Sequence, residues 1–190
     1  MRLLTVALWV GLLLLGLGAL DAPTRRDSDW LIRVGLEQGA FAPVLYVGVS
    51  ADSLRWVDPC TGRMLGIGKA GQVWELRREN GRFVARSGQA SVAAERLVAE
   101  PVGTGFVMIG VSPRTLRRYR GHLEWVERDG KLLTVNWVRL DDYLKATLPR
   151  EMPPNFHLEA LKAQAVAARS FTLRRLNRYR QWGYDLCDHA

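Results

Sequence analysis

Between residues 30 and 138 the chain is cut into short apolar runs by turn dipeptides, and that spacing points to antiparallel sheet. Asn80-Gly81 separates Val73-Trp74-Glu75-Leu76 from Arg82-Phe83-Val84-Ala85. Both turn residues tolerate positive φ, so a two-residue hairpin is expected there. Asp129-Gly130 stands in the same way between an alternating run, Tyr119–Val126, and Leu132–Val138. Asp58-Pro59, Thr61-Gly62, Ala70-Gly71 and Ser87-Gly88 punctuate the stretch between Leu54 and Val98. Trp30–Leu36, Val44–Val49 and Phe106–Ile109 supply further strands. No internal repeat or low-complexity tract interrupts this meander-like spacing. Gly66-Ile67-Gly68 opens no helix and carries no Walker lysine, so it gives no sign of a phosphate cradle.

The periodicity changes at residue 140. Asp141 and Asp142 suit a helix N-terminus, as cap and as partners of the dipole. Tyr143, Leu144, Thr147 and Leu148 make a short stripe, and Pro149 is expected to end the helix. A second helix is expected from about Asn155, a good capping residue. Leu158, Leu161, Ala165, Ala168, Thr172, Leu176 and Tyr179 recur on one face of it, Arg174, Arg175, Arg178 and Arg180 crowd its last turns, and Gly183 stops it. The fold class is therefore α+β, a β-rich part at about 30–138 packed with a helical segment at about 140–182. One domain of ordinary size, residues 30–190, is expected for a 190-residue chain.

Residues 1–20 carry Arg2 and then no charge from Leu3 to Leu20. This is the plan of a secretory signal or an uncleaved signal anchor, and it implies export. Residues 21–29 read as a polar linker. The formal charge of +8 lies wholly in residues 111–182, which hold 15 Lys/Arg against 7 Asp/Glu. Such a half favours an anionic partner or is a solvated basic face. Cys60 and Cys187 lie far apart and belong to no CxxC motif. The only histidines are His122, His157 and His189.

Glu151 is the candidate for chemistry, in the proline-flanked link Pro149-Arg150-Glu151-Met152-Pro153-Pro154. Burial among apolar neighbours would keep it protonated as a general acid, and an approaching Arg150 would oppose that. The plain alternative is a loop salt-bridge partner. Lys162 and Arg169, seven apart, project from nearly the same side of the second helix. They can hold sugar hydroxyl, acetyl or carboxyl groups, or they are snorkelling surface cations. Gln164 falls on another flank, where an amide can orient a neighbour. Asp185, Cys187, Asp188 and His189 put carboxylate, thiol and imidazole within five residues, a set that can contribute to a metal site.

Leu140-Asp141-Asp142-Tyr143-Leu144, Glu151-Met152-Pro153 and the run Glu159–Phe171, which contains EALKAQAVAAR, together resemble the core of the stage II sporulation protein D / amidase-enhancer (SpoIID/LytB) family. Ile32–Leu36, Tyr119-Arg120-Gly121, Val135-Asn136 and Tyr184–Asp188 are similar to further landmarks of it. The resemblance covers most of residues 32–188. It implies exported proteins, periplasmic, wall-facing or membrane-anchored, that act on peptidoglycan glycan strands. Their enzymatic members are lytic transglycosylases, with the glutamate matching Glu151 as the single acid/base. It implies substrate-binding roles for Lys162 and Arg169, with Gln164 and Tyr143 beside them. No cofactor is implied.

Some relatives bind zinc near the motif matching Asp185-Leu186-Cys187. Here Gln181 stands at the place of a histidine, so no metal is expected. Family members often have glycine at Ala146 and a Trp-Pro-like pair at Phe156-His157. The family continues past Ala190, so a chain truncated at its C-terminus is expected, with its groove incomplete and its activity impaired. A cell-wall amidase, enhanced without enzymatic action, is the alternative partner. Nucleic acid is excluded by the export signal, and membrane contact is confined to the N-terminal segment.

Overall fold

The structure, a computed structural model, describes residues 30–188. The N-terminal apolar segment (1–20), the linker (21–29) and His189 lie outside the described residues. In chain order the strands are β1 (Leu31–Gly35), β2 (Phe41–Ala42), β3 (Val44–Val49), β4 (Ser53–Asp58), β5 (Arg63–Lys69), β6 (Trp74–Glu79), β7 (Arg82–Ser87), β8 (Ala90–Ala94), β9 (Val98–Val102), β10 (Val107–Gly110), β11 (Arg117–Tyr119), β12 (His122–Arg128) and β13 (Lys131–Arg139). Helices α1 (Leu140–Glu151) and α2 (Leu158–Arg174) follow, then a 3-10 turn (Arg180–Trp182) and β14 (Leu186–Cys187). The α+β class read from the sequence is the observed one.

The local turn chemistry acts as expected. Asn80 (φ 48°) and Gly81 (φ 78°) both adopt positive φ between β6 and β7, as do Asp129 (φ 53°) and Gly130 (φ 70°) between β12 and β13. Two left-handed residues in succession give a turn whose twist matches that of the strands it joins.

The strands form two sheets. The first runs β14-β1-β13-β12-β9-β4-β5, with β2 also pairing β13, and the second runs β11-β10-β3-β6-β7-β8. All pairs are antiparallel except β1 with β14. Between the sheets lie three buried indoles. Trp56 of β4 packs on Trp125 of β12 at 5.8 Å and on Trp74 of β6, from the other sheet, at 5.4 Å. Truncating a buried aromatic of this kind costs about 3–5 kcal/mol. Gly68, read above as part of a glycine pair without phosphate chemistry, serves this packing: a Cβ there would lie 2.6 Å from the Trp74 indole nitrogen.

Several sequence expectations are corrected. The run Tyr119–Val126 is two strands, not one. Tyr119 pairs with Val107 in the second sheet and His122 with Trp137 in the first. The chain changes sheet at Gly121, where φ is 77° and a Cβ would lie 2.0 Å from the Trp137 carbonyl oxygen. Pro149 does not end α1 but lies inside its last turn. A proline forfeits one backbone donor, yet Met152 N–H still reaches the Leu148 carbonyl at 2.9 Å and closes the turn. Asn155 is not the cap of α2; His157 is, its Nδ1 accepting from Glu159 N–H at 3.3 Å. Asn155 sits in the preceding turn, which Phe156 N–H closes onto the Pro153 carbonyl at 3.1 Å.

The helices meet the sheets through α1. Arg139, with extended backbone at the end of β13, is its N-cap, so Asp141 and Asp142 fall in its first turn rather than at the cap. Leu140 and Leu144 are buried in the main core, and Tyr143 and Leu148 pack against it. α2 lies on α1, with Ala168 and Leu173 packed against the core and Thr172 buried. It ends at Arg174, and Gly183, in the left-handed region, terminates the later 3-10 turn instead. No helix among the described residues is long and apolar enough to cross a membrane.

Candidate functional site

Glu151 occupies the last position of α1 rather than a free link, and its side chain is exposed. The apolar burial expected for it is therefore not supplied by the described residues. What the helix supplies is direction, because α1 is continuous with β13 and rooted in the core by Leu140 and Leu144. Tyr143 lies two turns earlier on the same helix. Burial pushes its phenol above the usual tyrosine range, and the Glu151 charge adds to that push. The two groups thus share one electrostatic neighbourhood. Tyr119 is likewise raised, chiefly by burial and against the lowering field of Arg117.

The other sequence candidates lie on α2 and divide in behaviour. Lys162 pairs with Glu159 at 2.8 Å, and both side chains are largely exposed. Gln164 is half-buried. Arg169 does not project freely: its Nη2 donates to the Asp141 carboxylate at the start of α1, with both side chains about one-third exposed. Its Nη1 is buried with no hydrogen-bond partner among the described residues. Arg169 therefore ties the two helices together at the end opposite Glu151, and Asp141 is its anchor.

Asp185 and Asp188 have structural partners. Asp185 accepts from the Arg33 backbone N–H at 2.9 Å and from the Arg33 guanidinium at 2.7 and 3.1 Å. This bonding holds the Arg33 guanidinium charged and seats β14 beside β1. Asp188 accepts from Glu37 N–H at 2.8 Å. No disulfide joins Cys60 and Cys187. Among the described residues no group of three or more His, Cys, Asp or Glu side chains is placed to hold a metal ion. His122 stacks on Trp137 at 5.6 Å, and burial lowers its pKa.

Sequence reasoning did not find a second cluster, built by residues far apart in the chain. Tyr184 is fully buried, and its hydroxyl donates to Glu37 Oε1 at 2.5 Å. Arg128 donates to the same Glu37 oxygen at 2.9 Å and to the Tyr184 hydroxyl at 3.0 Å. Tyr179 and Trp182 stack beside them. The available signal was three aromatic residues within six positions, 179, 182 and 184, just past the second helix.

Residues 128–190 match the family model described as Stage II sporulation protein. Over 92 residues the chain is 35% identical to an uncharacterized protein of Brachyspira hyodysenteriae, a match covering 48% of this chain and 23% of that protein. Over 87 residues it is 34% identical to the stage II sporulation protein D of Bacillus subtilis, covering 45% of this chain and 23% of that one. The chain thus spans about a quarter of the length of these curated relatives. No solved structure matches.

Proposed function

The chain belongs, through residues 128–190, to the stage II sporulation protein D family, and on that premise we propose that it is an exported protein that cleaves peptidoglycan glycan strands as a lytic transglycosylase, with Glu151 as the acid/base. The observation that carries this reading is the presentation of a single exposed carboxylate at the end of a core-rooted helix. The matched segment contains Glu151, Lys162, Gln164 and Arg169.

In the proposed reaction the protonated Glu151 donates to the glycosidic oxygen as the C1–O bond between N-acetylmuramic acid and N-acetylglucosamine breaks. The resulting carboxylate then takes the proton of the muramic 6-hydroxyl, and O6 closes on C1 to leave a 1,6-anhydro end. No water attacks, so the second carboxylate of an ordinary glycosidase has no task. Lys162, at the start of α2, is available to steady acetyl or carboxyl oxygens. Arg169 serves by holding α2 on α1, and Tyr143 by lining the approach to Glu151.

The test is release of anhydro-muropeptides from denuded glycan strands. The full chain releases them and Glu151→Gln does not, a loss of at least ~100-fold. Equal activity of the two proteins, or no anhydro product from the parent, overturns the reading. A second reading, a non-enzymatic partner that enhances a wall amidase, draws on apolar side chains exposed along the helical segment. Phe156, Leu158, Val166 and Phe171 are each more than half exposed there. In that case Glu151→Gln raises amidase activity as well as the parent does.

A further inference from the structure

The cluster around Tyr184 borders a cavity of about 470 Å³ lined by Glu37, Arg128, Asp129, Tyr179 and Trp182. That volume lies within the usual range of ligand pockets, about 300–1,000 Å³. None of these residues belongs to α1 or α2. We propose that this cavity is a saccharide-binding subsite, in which Trp182 and Tyr179 cover the apolar face of a pyranose ring while Glu37, Arg128 and Asp129 meet its hydroxyl and amide groups. It rests on the proposed function for its polymer, a peptidoglycan glycan strand held away from the point of cleavage.

Three observations carry the proposal. Trp182 is 43% exposed, the most exposed tryptophan among the described residues, whereas Trp56, Trp74 and Trp125 are buried. An indole left in water at the rim of a cavity offers a large rigid face at little cost in conformational entropy. The platform is fixed before any ligand arrives. Tyr179 stacks on Trp182 at 5.7 Å and on the buried Tyr184 at 5.3 Å. The polar wall is equally fixed: the Arg128 guanidinium lies between the rings of Phe41 (4.7 Å) and Trp182 (5.4 Å) and is tied to Glu37 and Tyr184. Groups already ordered lose little freedom on binding, which favours affinity.

The lining offers a ligand both acceptors and donors. Asp129, 84% exposed at the tip of the β12–β13 hairpin, presents acceptor oxygens, and Arg128 presents donors. Aromatic faces flanked by both donors and acceptors match the two-sided character of a sugar ring, apolar on its C–H face and polar at its edge. Burial pushes the Tyr184 phenol up, so it stays a neutral donor to Glu37 and keeps this wall in place.

The experiment titrates the isotope-labelled full chain with the N-acetylglucosamine tetramer and follows the indole N–H signals, that of Trp182 being identified by its loss in Trp182→Phe. The Trp182 signal is expected to shift saturably. Trp182→Ala is expected to weaken binding at least ~tenfold and Trp182→Phe by less. An unmoved Trp182 signal at saturating sugar, or equal affinity of Trp182→Ala and the parent, overturns the subsite. Should Trp182→Ala fail to fold, the signal in the unmodified protein decides. Sugar binding at Trp182 without anhydro product leaves the subsite standing and removes the catalytic reading; product without a Trp182 response does the reverse.

Discussion

Breaking the Arg169–Asp141 contact tests how Glu151 is positioned. This ion pair bridges α2 to the first turn of α1, and both side chains are about one-third exposed. A charge-assisted hydrogen bond in a protected site contributes about 1.5–3 kcal/mol, and a fully exposed pair about 0.2–1 kcal/mol. Partial exposure and solvent screening place this one between, at about 1 kcal/mol. Arg169→Ala also loses the packing of its alkyl stem, so a total of about 1.5–2 kcal/mol is expected. For a folded body of this size that is a fall in Tm of about 3–7 °C.

The assay is a double-mutant cycle by thermal or urea unfolding on the parent, Arg169→Ala, Asp141→Ala and both together. The expected coupling is about 1 kcal/mol, reduced at high salt. Release of anhydro product is expected to fall in both single variants, because each loosens the same helix pair. Asp141→Ala is the informative one, since it leaves the Arg169 cation in place for any sugar. Additivity within about 0.3 kcal/mol refutes the contact. Full activity in Asp141→Ala with loss in Arg169→Ala assigns Arg169 to the substrate instead.

Two further outcomes follow from the packing at the end of the chain. Gly35→Ala places a Cβ 2.8–2.9 Å from the ring of Tyr184, which is wholly buried and has no room to retreat; urea unfolding is expected to show a loss of about 2 kcal/mol, and a stability equal to the parent's refutes this contact. Tyr184 is held above its ordinary range, chiefly by burial and then by its bond to Glu37, so the folded state keeps this proton longer than the unfolded chain does. Its contribution is complete below about pH 10 and declines as pH rises further, by up to ~1.4 kcal/mol per pH unit, with Tyr119 and Tyr143 adding in the same sense. Unfolding curves at pH 8.5 and 10.5 should show the fall and Tyr184→Phe a shallower one; a flat profile in the parent contradicts it.

Much of the architecture follows from short-range chemistry. Asn80-Gly81 and Asp129-Gly130 set their hairpins because two adjacent residues had to accept positive φ. The shift from strands to helices at residue 140 was legible because alternation gives way there to helical spacing. Glu151 was singled out through the motif around it.

Other features depend on partners remote in sequence, and no local pattern announces them. Tyr119 and His122 read as one strand, but the two sheets claim one each, and Gly121, with φ 77°, makes the turn between them. Pro149 reads as a stop, yet packing of Leu144 and Leu148 against the core offsets one missing hydrogen bond. Arg169 reads as a surface cation until Asp141, 28 residues earlier, is brought to it. The cavity beside Trp182 requires Glu37, 147 residues from Tyr184. Most of the strands, the hairpin turns and the pair of helices were legible in the residues themselves, because each depends on neighbours within a few positions. Which strand joins which sheet, the exposure of Glu151 at a helix end and the aromatic cavity beside Trp182 were set by tertiary packing. Those outcomes depend on burial and charge balanced over the whole body, which no window of sequence contains.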